Sequence, residues 1–401
     1  MTTPGQSSGD RPAGDQAGPP RPDAPAHRLL GDLSGDFADL GTFLPLMIGV
    51  FSLQRFDPTG MLIGFGAFAI ATAALYRRPV PVQPMKAVAG IVIAAGIGPG
   101  AVAASGLLLG GILLLLALTG ALNALARKVP QTVLKGVQLA VGIHLAWVGA
   151  GLVSRDWQLG GLVLGVLIAT DRTRLKPLAL LVALTAAAAW AATRPDARLP
   201  EIAFGLHLPA LSLPEWHAVR QATEAVLLPQ LALTLTNAVL VTAAIASHLF
   251  PDDRARITPR RLALSSGALN LLLAPFGAFP MCHGAGGLVA QHKFGARTGL
   301  APAVFGLTCL SLGLLLGPQA ADLLGVLPLP AVGALLVITG VDLAVSKRLF
   351  DRRPNHLTVI LLTAAVGIGV NVAVGLIAGV AVELVRAGWR RRAPLSTPPR
   401  P

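Results

Sequence analysis

The stretch GAFPMCHGAGGLVAQHKFGARTG, residues 277–299, interrupts a chain built mainly from Leu, Ala, Val and Ile. It places a proline, a cysteine, a histidine and several glycines where a membrane-spanning helix would be expected to run. Because proline breaks the interior of a helix but suits its first turn, the stretch predicts a helix that begins at Pro280, inside the membrane. The N–H groups at such a start lack helical partners and carry partial positive charge. This part of the chain therefore predicts an anion site.

The composition places the chain in a membrane. Charged residues make up 13% of the 401 residues, against about 25% in soluble domains, and the hydrophobic fraction is 53%. Apolar runs such as residues 106–126 reach the roughly 20 residues that cross a bilayer, and they are continuous rather than alternating, which favours helices over a barrel. The net charge of +13 does not indicate nucleic-acid binding, because the arginines and lysines gather in short loops and form no basic face interleaved with aromatic residues.

Charged and Pro/Gly clusters divide the chain into fourteen expected spans. Nearly all loop arginines and lysines then fall on one side of the membrane, which predicts that both termini are cytoplasmic, in a bacterial-type plasma membrane. The expected organisation is a disordered tail (1–27), a first seven-helix repeat (28–200), an extracytoplasmic connection (201–220), a second repeat (221–389) and a basic tail (390–401). The spans are 34–53, 59–76, 84–97, 101–125, 131–152, 158–170, 177–193, 221–249, 262–278, 281–291, 299–317, 328–345, 356–370 and 372–388.

Three short matches, in the same order and at similar offsets, indicate an internal duplication. FLPL (43–46) resembles LLPQ (227–230), QPMKAVAG (83–90) resembles FPMCHGAGG (279–287), and VGIHLAW (141–147) resembles TGVDLAV (339–345). Because seven is odd, the second copy would be inverted in the membrane. Inverted repeats with short, Pro/Gly-interrupted spans are typical of secondary transporters. The fold class predicted is an all-α polytopic membrane protein whose third and tenth spans are half-helices that meet near the midplane.

The first of these half-helices carries a lysine in an unusual position. Pro79, Pro81 and Pro84 favour extended backbone, and Pro84 suits the start of the following helix. Lys86 would then lie in the first helical turn, where a cation opposes the helix dipole at a cost of about 0.3–1 kcal/mol. Two interpretations stay open: Lys86 contacts a substrate anion, or it pairs with an aspartate of the first span. Gln83 and Met85 flank it as candidate substrate contacts.

The second half-helix would place His283 in the matching first turn, where a neutral imidazole could donate to an oxyanion. Cys282 and Gly284 are further candidate substrate contacts, with glycine allowing close backbone approach to a ligand or, alternatively, to a neighbouring helix. One adjacent Cys–His pair falls short of a four-ligand zinc site. Adjacent helical residues also point to different sides, which disfavours Cys–His catalysis. No metal site, cofactor or catalytic residue is therefore expected.

Two other spans carry polar residues. In LPQLALTLTNAV (228–239), Gln230, Thr234 and Asn237 share one helical face and could line an anion site or, equally, hydrogen-bond another helix. In the first span, Asp36 and Asp39 are three residues apart. Carboxylates inside membrane spans commonly serve proton or cation coupling, and Asp39 is the preferred coupling group, with a salt bridge to Lys86 or a capping role as alternatives. His144 and Asp342 correspond through the repeat, but the sequence assigns them no role.

Four stretches resemble the molybdate transporter family, a relative of the sulfate permeases: GDFADLGTFLPL (35–46), PVPVQPMKAVA (79–89), LPQLALTLTNAV (228–239) and GAFPMCHGAGGLVAQHKFGAR (277–297). The resemblance implies a membrane importer of molybdate with a core-and-gate arrangement of two inverted seven-helix repeats. The chain departs from the family at Ala38, where a glycine often stands.

The implied ligands are molybdate or a related oxyanion, with protons as the coupling ion, membrane lipid as the surroundings and a homodimer left open. A sulfate or other anion permease and an uncoupled channel are the alternatives, because molybdate and sulfate are both tetrahedral dianions. An intramembrane enzyme is disfavoured, since no further nucleophile–base constellation is present.

Overall fold

The computed structural model describes residues 25–54, 56–171, 173, 179–193, 202–325, 327–345 and 354–392. Within these residues the chain forms the sixteen helices given below, two three-residue 3-10 helices (Pro251–Asp253 and Ala274–Phe276) and two short strands. Helix α9 contains two π-helical segments, Thr223–Leu227 and Thr234–Val241. The helices are α1 Pro25–Gln54, α2 Pro58–Tyr76, α3 Lys86–Ala95, α4 Pro99–Thr119, α5 Leu122–Lys128, α6 Gln131–Val153, α7 Trp157–Asp171, α8 Ala179–Ala192, α9 Trp216–Leu249, α10 Pro259–Leu273, α11 Ala285–Lys293, α12 Leu300–Leu316, α13 Gln319–Gly325, α14 Leu329–Ala344, α15 Pro354–Gly369 and α16 Val372–Arg392.

Five helices of the described part, namely α1, α2, α4, α6 and α9, are long and apolar enough to cross a membrane. Five shorter apolar helices of 10–17 residues accompany them. The helical membrane architecture agrees with the sequence-based prediction, while the count of fourteen spans stays a prediction. The predicted span 101–125 is divided in the structure, because Gly120 adopts φ 76° and ends α4 before the short helix α5 begins.

The prediction of an all-α fold is wrong at the two interrupted segments. Strand β1, Val82–Pro84, pairs antiparallel with β2, Met281–His283, and the backbone N–H of Met85 donates to the carbonyl of Pro280 over 2.9 Å. The half-helices therefore begin at Lys86 and Ala285, later than predicted. The prolines keep both segments extended, and an extended segment surrounded by apolar helices must find backbone partners elsewhere. Each segment supplies them to the other.

Facing glycines bring three helix pairs into close contact: α2 with α12, α4 with α10, and α6 with α14. A Cβ built at Gly142 would lie 2.5 Å from the carbonyl oxygen of Gly340, and the reverse also holds. Small residues allow helix backbones to approach in this way within membranes. Each pair joins one helix from each half of the chain. The other facing pairs are Gly149 with Gly333, Gly66 with Gly306, and Gly110 with Gly267.

The helices form two bundles. The strand-bearing bundle contains β1 and β2 with α1–α4 and α9–α12. In the second bundle α6 packs against α14, α15 and α16, and α7 packs against α8 and α14. The two bundles meet where α3 contacts α6 and where α1 contacts α14. This interface positions the site described below.

Three loops meet at one end of the molecule, called the basic end here. Arg78, just after α2, forms an ion pair with Asp253 at 2.6 Å and donates to the carbonyl of Arg297 over 3.1 Å. Asp32, near the start of α1, accepts hydrogen bonds from the backbone N–H groups of Arg297 and Thr298 over 2.7 and 2.9 Å. The loops that follow α2, α9 and α11 therefore all lie at the basic end, and α1 also begins there.

The direction of α6 and α14 follows from two further contacts. The Arg260 guanidinium at the start of α10 donates to the Ala117 carbonyl near the end of α4 over 3.1 Å, so α4 ends, and α6 begins, at the basic end. The facing glycines show that α14 runs antiparallel to α6. The first turns of α6 and the last turns of α14 therefore both lie toward the basic end.

Candidate functional site

Lys86, the first residue of α3, lines two adjoining cavities at the interface of the two bundles. The smaller cavity has a volume of about 100 Å³ and includes Thr42 of α1 and Thr339 of α14. The larger has a volume of about 590 Å³. Lys86, Asp342 and Leu343 line both. Lys86, for which the sequence leaves anion contact and pairing with an aspartate open, is therefore half-buried beside this space.

Five helices, α3, α6, α9, α11 and α14, wall the larger cavity. Helix α11 contributes its first two residues, Ala285 and Gly286, so the starts of both half-helices face the same space. At Gly286 an added Cβ would meet no atom within 4 Å, which leaves the backbone of α11 open to the cavity. The remaining polar and charged lining residues are Gln131, Lys135 and Gln138 of α6, Thr236 and Asn237 of α9, and Asp342 of α14.

The start of α3 is capped by a side chain from α9. The amide oxygen of Gln230 accepts from the backbone N–H groups of Ala87 and Val88 over 2.9 and 3.3 Å, and its amide nitrogen donates to the Thr234 hydroxyl over 2.9 Å. The first N–H groups of α3, which lack helical partners, therefore have a side-chain partner. Gln230, on the polar face of α9, supplies the acceptor that these groups need, because a buried N–H without a partner is costly. On this face of α9, Gln230 and Thr234 therefore support α3, whereas Asn237 lines the cavity.

Gln83, Met85, Cys282 and Gly284 are not among the residues that line the two cavities. Gln83 and Cys282 face each other across the strand pair, and Met85 is fully buried at the N-cap of α3. A Cβ at Gly284 would overlap the amide oxygen of Gln83. Gly284 is therefore needed for close packing of the Gln83 side chain.

His283 lies in β2 rather than in the first turn of α11, which corrects its predicted position. Its ring is fully buried, with Nδ1 3.2 Å from the Pro81 carbonyl oxygen and Nε2 2.9 Å from the Ser265 hydroxyl. A carbonyl only accepts, so Nδ1 carries the proton and Nε2 accepts from Ser265. Ser265 in turn accepts from the Tyr76 hydroxyl over 2.7 Å. The chain of hydrogen bonds joins α2, α10 and β2 to Pro81, the residue before β1.

The coupling residues predicted in the first span, Asp36 and Asp39, belong to α1, but their side chains lie outside the described part. The structure draws attention to a different carboxylate, Asp342, which lines both cavities. Sequence reasoning assigned it no role, although a carboxylate within an apolar span is itself a functional signal. The stripe on α6 was also missed, despite the spacing i, i+4, i+7 of Gln131, Lys135 and Gln138 in an otherwise apolar helix.

The family described as "Molybdate transporter of MFS superfamily" matches residues 31–145 and 222–343 of this chain. Molybdate transporter 1 of Arabidopsis thaliana is 30% identical to it over 423 residues, which cover 92% of this chain and 91% of the relative.

Two solved structures share the fold at low sequence identity. The transmembrane domain of the cyanobacterium bicarbonate transporter BicA superposes with a TM-score of 0.64 at 17% identity, covering 88% of this chain and 97% of that domain. The murine Slc26a9 anion transporter in its inward-facing state gives a TM-score of 0.66 at 14% identity, covering 92% and 69%.

Proposed function

Since the chain belongs to the molybdate transporter family, we propose that it imports a tetrahedral oxyanion, most closely molybdate, as a secondary active transporter. The observation that carries the proposal is the cavity where Lys86 and the starts of both half-helices converge. Helix starts and a lysine together favour a negatively charged ligand. The relatives reported above are transporters, not enzymes.

The bound anion would lie against Lys86, Asn237 and the first residues of α11, with Gln230 and Thr234 holding α3 in place. The sequence also predicts contacts from five residues just before the two helix starts: Gln83, Met85, Cys282, His283 and Gly284. These residues would contact the anion only if the strand pair moved relative to the cavity.

Uptake of a dianion against a negative-inside potential costs about 2.3 kcal/mol per charge per 100 mV, so import needs a coupled cation. We propose protons as that cation, carried by Asp39 with Asp36 beside it. Both lie in α1, whose residues Gly41 and Thr42 line the smaller cavity with Lys86. This proximity along the helix supports a carboxylate close to the substrate.

Alternating access would occur by movement of the strand-bearing bundle against the second bundle. The position of the cavity between them supports this mechanism. An inverted seven-plus-seven repeat would explain why the order of elements recurs: a long helix, a second helix, a strand with a half-helix, a helix, a seven-residue helix and three more helices. The antiparallel pairing of β1 with β2 is what inversion requires. The basic end, where the cavity lining reaches the first turns of α6, would be cytoplasmic by the positive-inside rule.

Uptake of radiolabelled molybdate into proteoliposomes tests the proposal, with sulfate and tungstate as competitors and the Lys86→Ala protein as the control. We expect concentrative uptake that an inward proton gradient drives and a protonophore abolishes. Uptake that only equilibrates molybdate would indicate an uncoupled channel. Uptake that sulfate inhibits more strongly than tungstate would favour a sulfate permease.

A further inference from the structure

Helix α6 presents a polar stripe to the larger cavity. Gln131, Lys135 and Gln138 are spaced i, i+4, i+7, and all three line the cavity with Lys86. Gln131 is exposed, while Lys135 and Gln138 are half-buried. The stripe therefore leads from the open basic end of α6 inward along one wall. The neighbouring residues Val133 and Val137 are buried apolar side chains, while Leu134 lines the cavity beside the three polar residues.

Lys135 decides the net charge of the side chains that line the larger cavity. In the described part of the chain the charged lining residues are Lys86, Lys135 and Asp342. Without Lys135 the other two sum to zero, which gives little net attraction for an anion of charge −2. Burying an ion without a matching charge is costly, and the cost grows steeply with charge. A site meant for a dianion needs a second cation near Lys86.

We infer that Lys135, with Gln131 and Gln138, forms the second half of a dianion site whose first half is Lys86. This inference rests on the proposed function and specifies its substrate class: tetrahedral oxyanions of charge −2 in preference to those of charge −1. The two lysines belong to different bundles, so a dianion bound between them would bridge the bundle interface. The glutamine amides supply neutral donors along the entry wall.

The test compares two tetrahedral oxyanions of similar size and different charge: tungstate, a dianion, and perrhenate, a monoanion. Equilibrium binding of each is measured on the purified full chain for the wild type, Lys135→Gln, Lys135→Arg and Lys128→Gln. Lys128 is the matched control, because it is an exposed cation at the end of α5 that does not line the cavity. Size-exclusion profiles and thermal unfolding establish that each variant is folded.

We expect Lys135→Gln to weaken tungstate binding about tenfold or more, as loss of a charge-assisted contact does, and perrhenate binding far less. Lys135→Arg should retain the preference for tungstate, and Lys128→Gln should leave both affinities near those of the wild type. An unchanged tungstate-to-perrhenate ratio in folded Lys135→Gln would overturn the inference while leaving oxyanion transport standing. A wild-type protein that binds neither oxyanion would overturn the proposed function as well.

Discussion

The side-chain oxygen of Gln230 lies 2.9 Å from the backbone nitrogen of Ala87 and accepts its hydrogen bond. A neutral amide oxygen from α9 thus occupies the positive end of α3, next to Lys86. Gln230 and Ala87 are 143 positions apart in the chain. Any anion that binds Lys86 does so beside an acceptor already in place, so Gln230 sets the distance between the ligand and the start of the helix.

Gln230→Glu should weaken molybdate binding about tenfold or more, because a carboxylate in this position repels a dianion. Its melting temperature should lie below that of the wild type, because Gln230 is buried and desolvating a carboxylate there costs more than the about 0.3–1 kcal/mol that a negative charge gains at a helix start. Gln230→Ala should also lower the melting temperature, because the N–H groups of Ala87 and Val88 lose their acceptor at about 1–3 kcal/mol. Thermal unfolding and equilibrium binding measure both effects. Wild-type molybdate affinity in Gln230→Glu would contradict the proximity of the anion to α3.

Lys86→Ala should abolish oxyanion uptake while leaving the amount of protein in the membrane unchanged. The lysine lines both cavities, and its removal leaves Lys135 as the only described cation in the larger one. Uptake and membrane abundance are measured together, with Lys128→Ala as the control. Normal uptake by Lys86→Ala would remove this residue from the site.

Asp39→Asn should uncouple uptake from the proton gradient, because the amide keeps the shape of the carboxylate but does not bind and release a proton. Molybdate binding should stay within about threefold of wild type. The measurement is uptake at external pH values from 5.5 to 8, with Asp36→Asn in parallel. Persistence of the wild-type pH dependence in both variants, together with its loss in Asp342→Asn, would transfer the coupling role from α1 to α14.

His283→Ala should lower the melting temperature by several degrees, because Ser265 and the Pro81 carbonyl both lose a buried partner at about 1–3 kcal/mol each. Ser265→Ala is the comparison, since it breaks the same chain of hydrogen bonds and keeps the imidazole. Thermal unfolding and molybdate binding are measured on both. A loss of affinity in His283→Ala that Ser265→Ala does not share would support the direct contact with the anion that the sequence predicts.

Gly142→Ala should destabilise the second bundle by about 1–3 kcal/mol, the usual cost of overpacking. The new Cβ would lie 2.5 Å from the Gly340 carbonyl, and a backbone atom cannot rotate away. Gly151→Ala on the same helix is the matched control, because nothing lies within 4 Å of its Cβ position. Thermal unfolding in detergent compares the two. Equal melting temperatures would mean that α6 and α14 separate without cost.

Much of the candidate site was predictable from local sequence. Prolines before Lys86 and around Pro280 indicate interrupted spans, and the structure brings those interruptions within hydrogen-bond distance of each other. The precise helix starts were not predictable, because proline dictates extended backbone without saying how far it continues. For Gln230 the sequence left open whether it lines the site or hydrogen-bonds another helix, and the structure shows the hydrogen bond to α3. The partners of His283 were not predictable. A polar side chain in an apolar span indicates that a hydrogen-bond partner is needed, but local sequence does not identify that partner.

By itself the sequence determined the membrane environment, the interruptions around Pro84 and Pro280 and the lysine that follows the first of them, because proline geometry and side-chain polarity act within a few residues. Only the tertiary structure decided that two extended segments pair as strands, that Gln230 caps α3, that His283 joins Ser265 and Pro81, and that Lys135 and Asp342 share a cavity with Lys86. Apart from the pair His283 and Ser265, these residues are far apart in the chain; His283 and Pro81, for example, are separated by 202 positions. Their partners are chosen by how the helices pack, and the glycine contacts between the two halves of the chain set that packing.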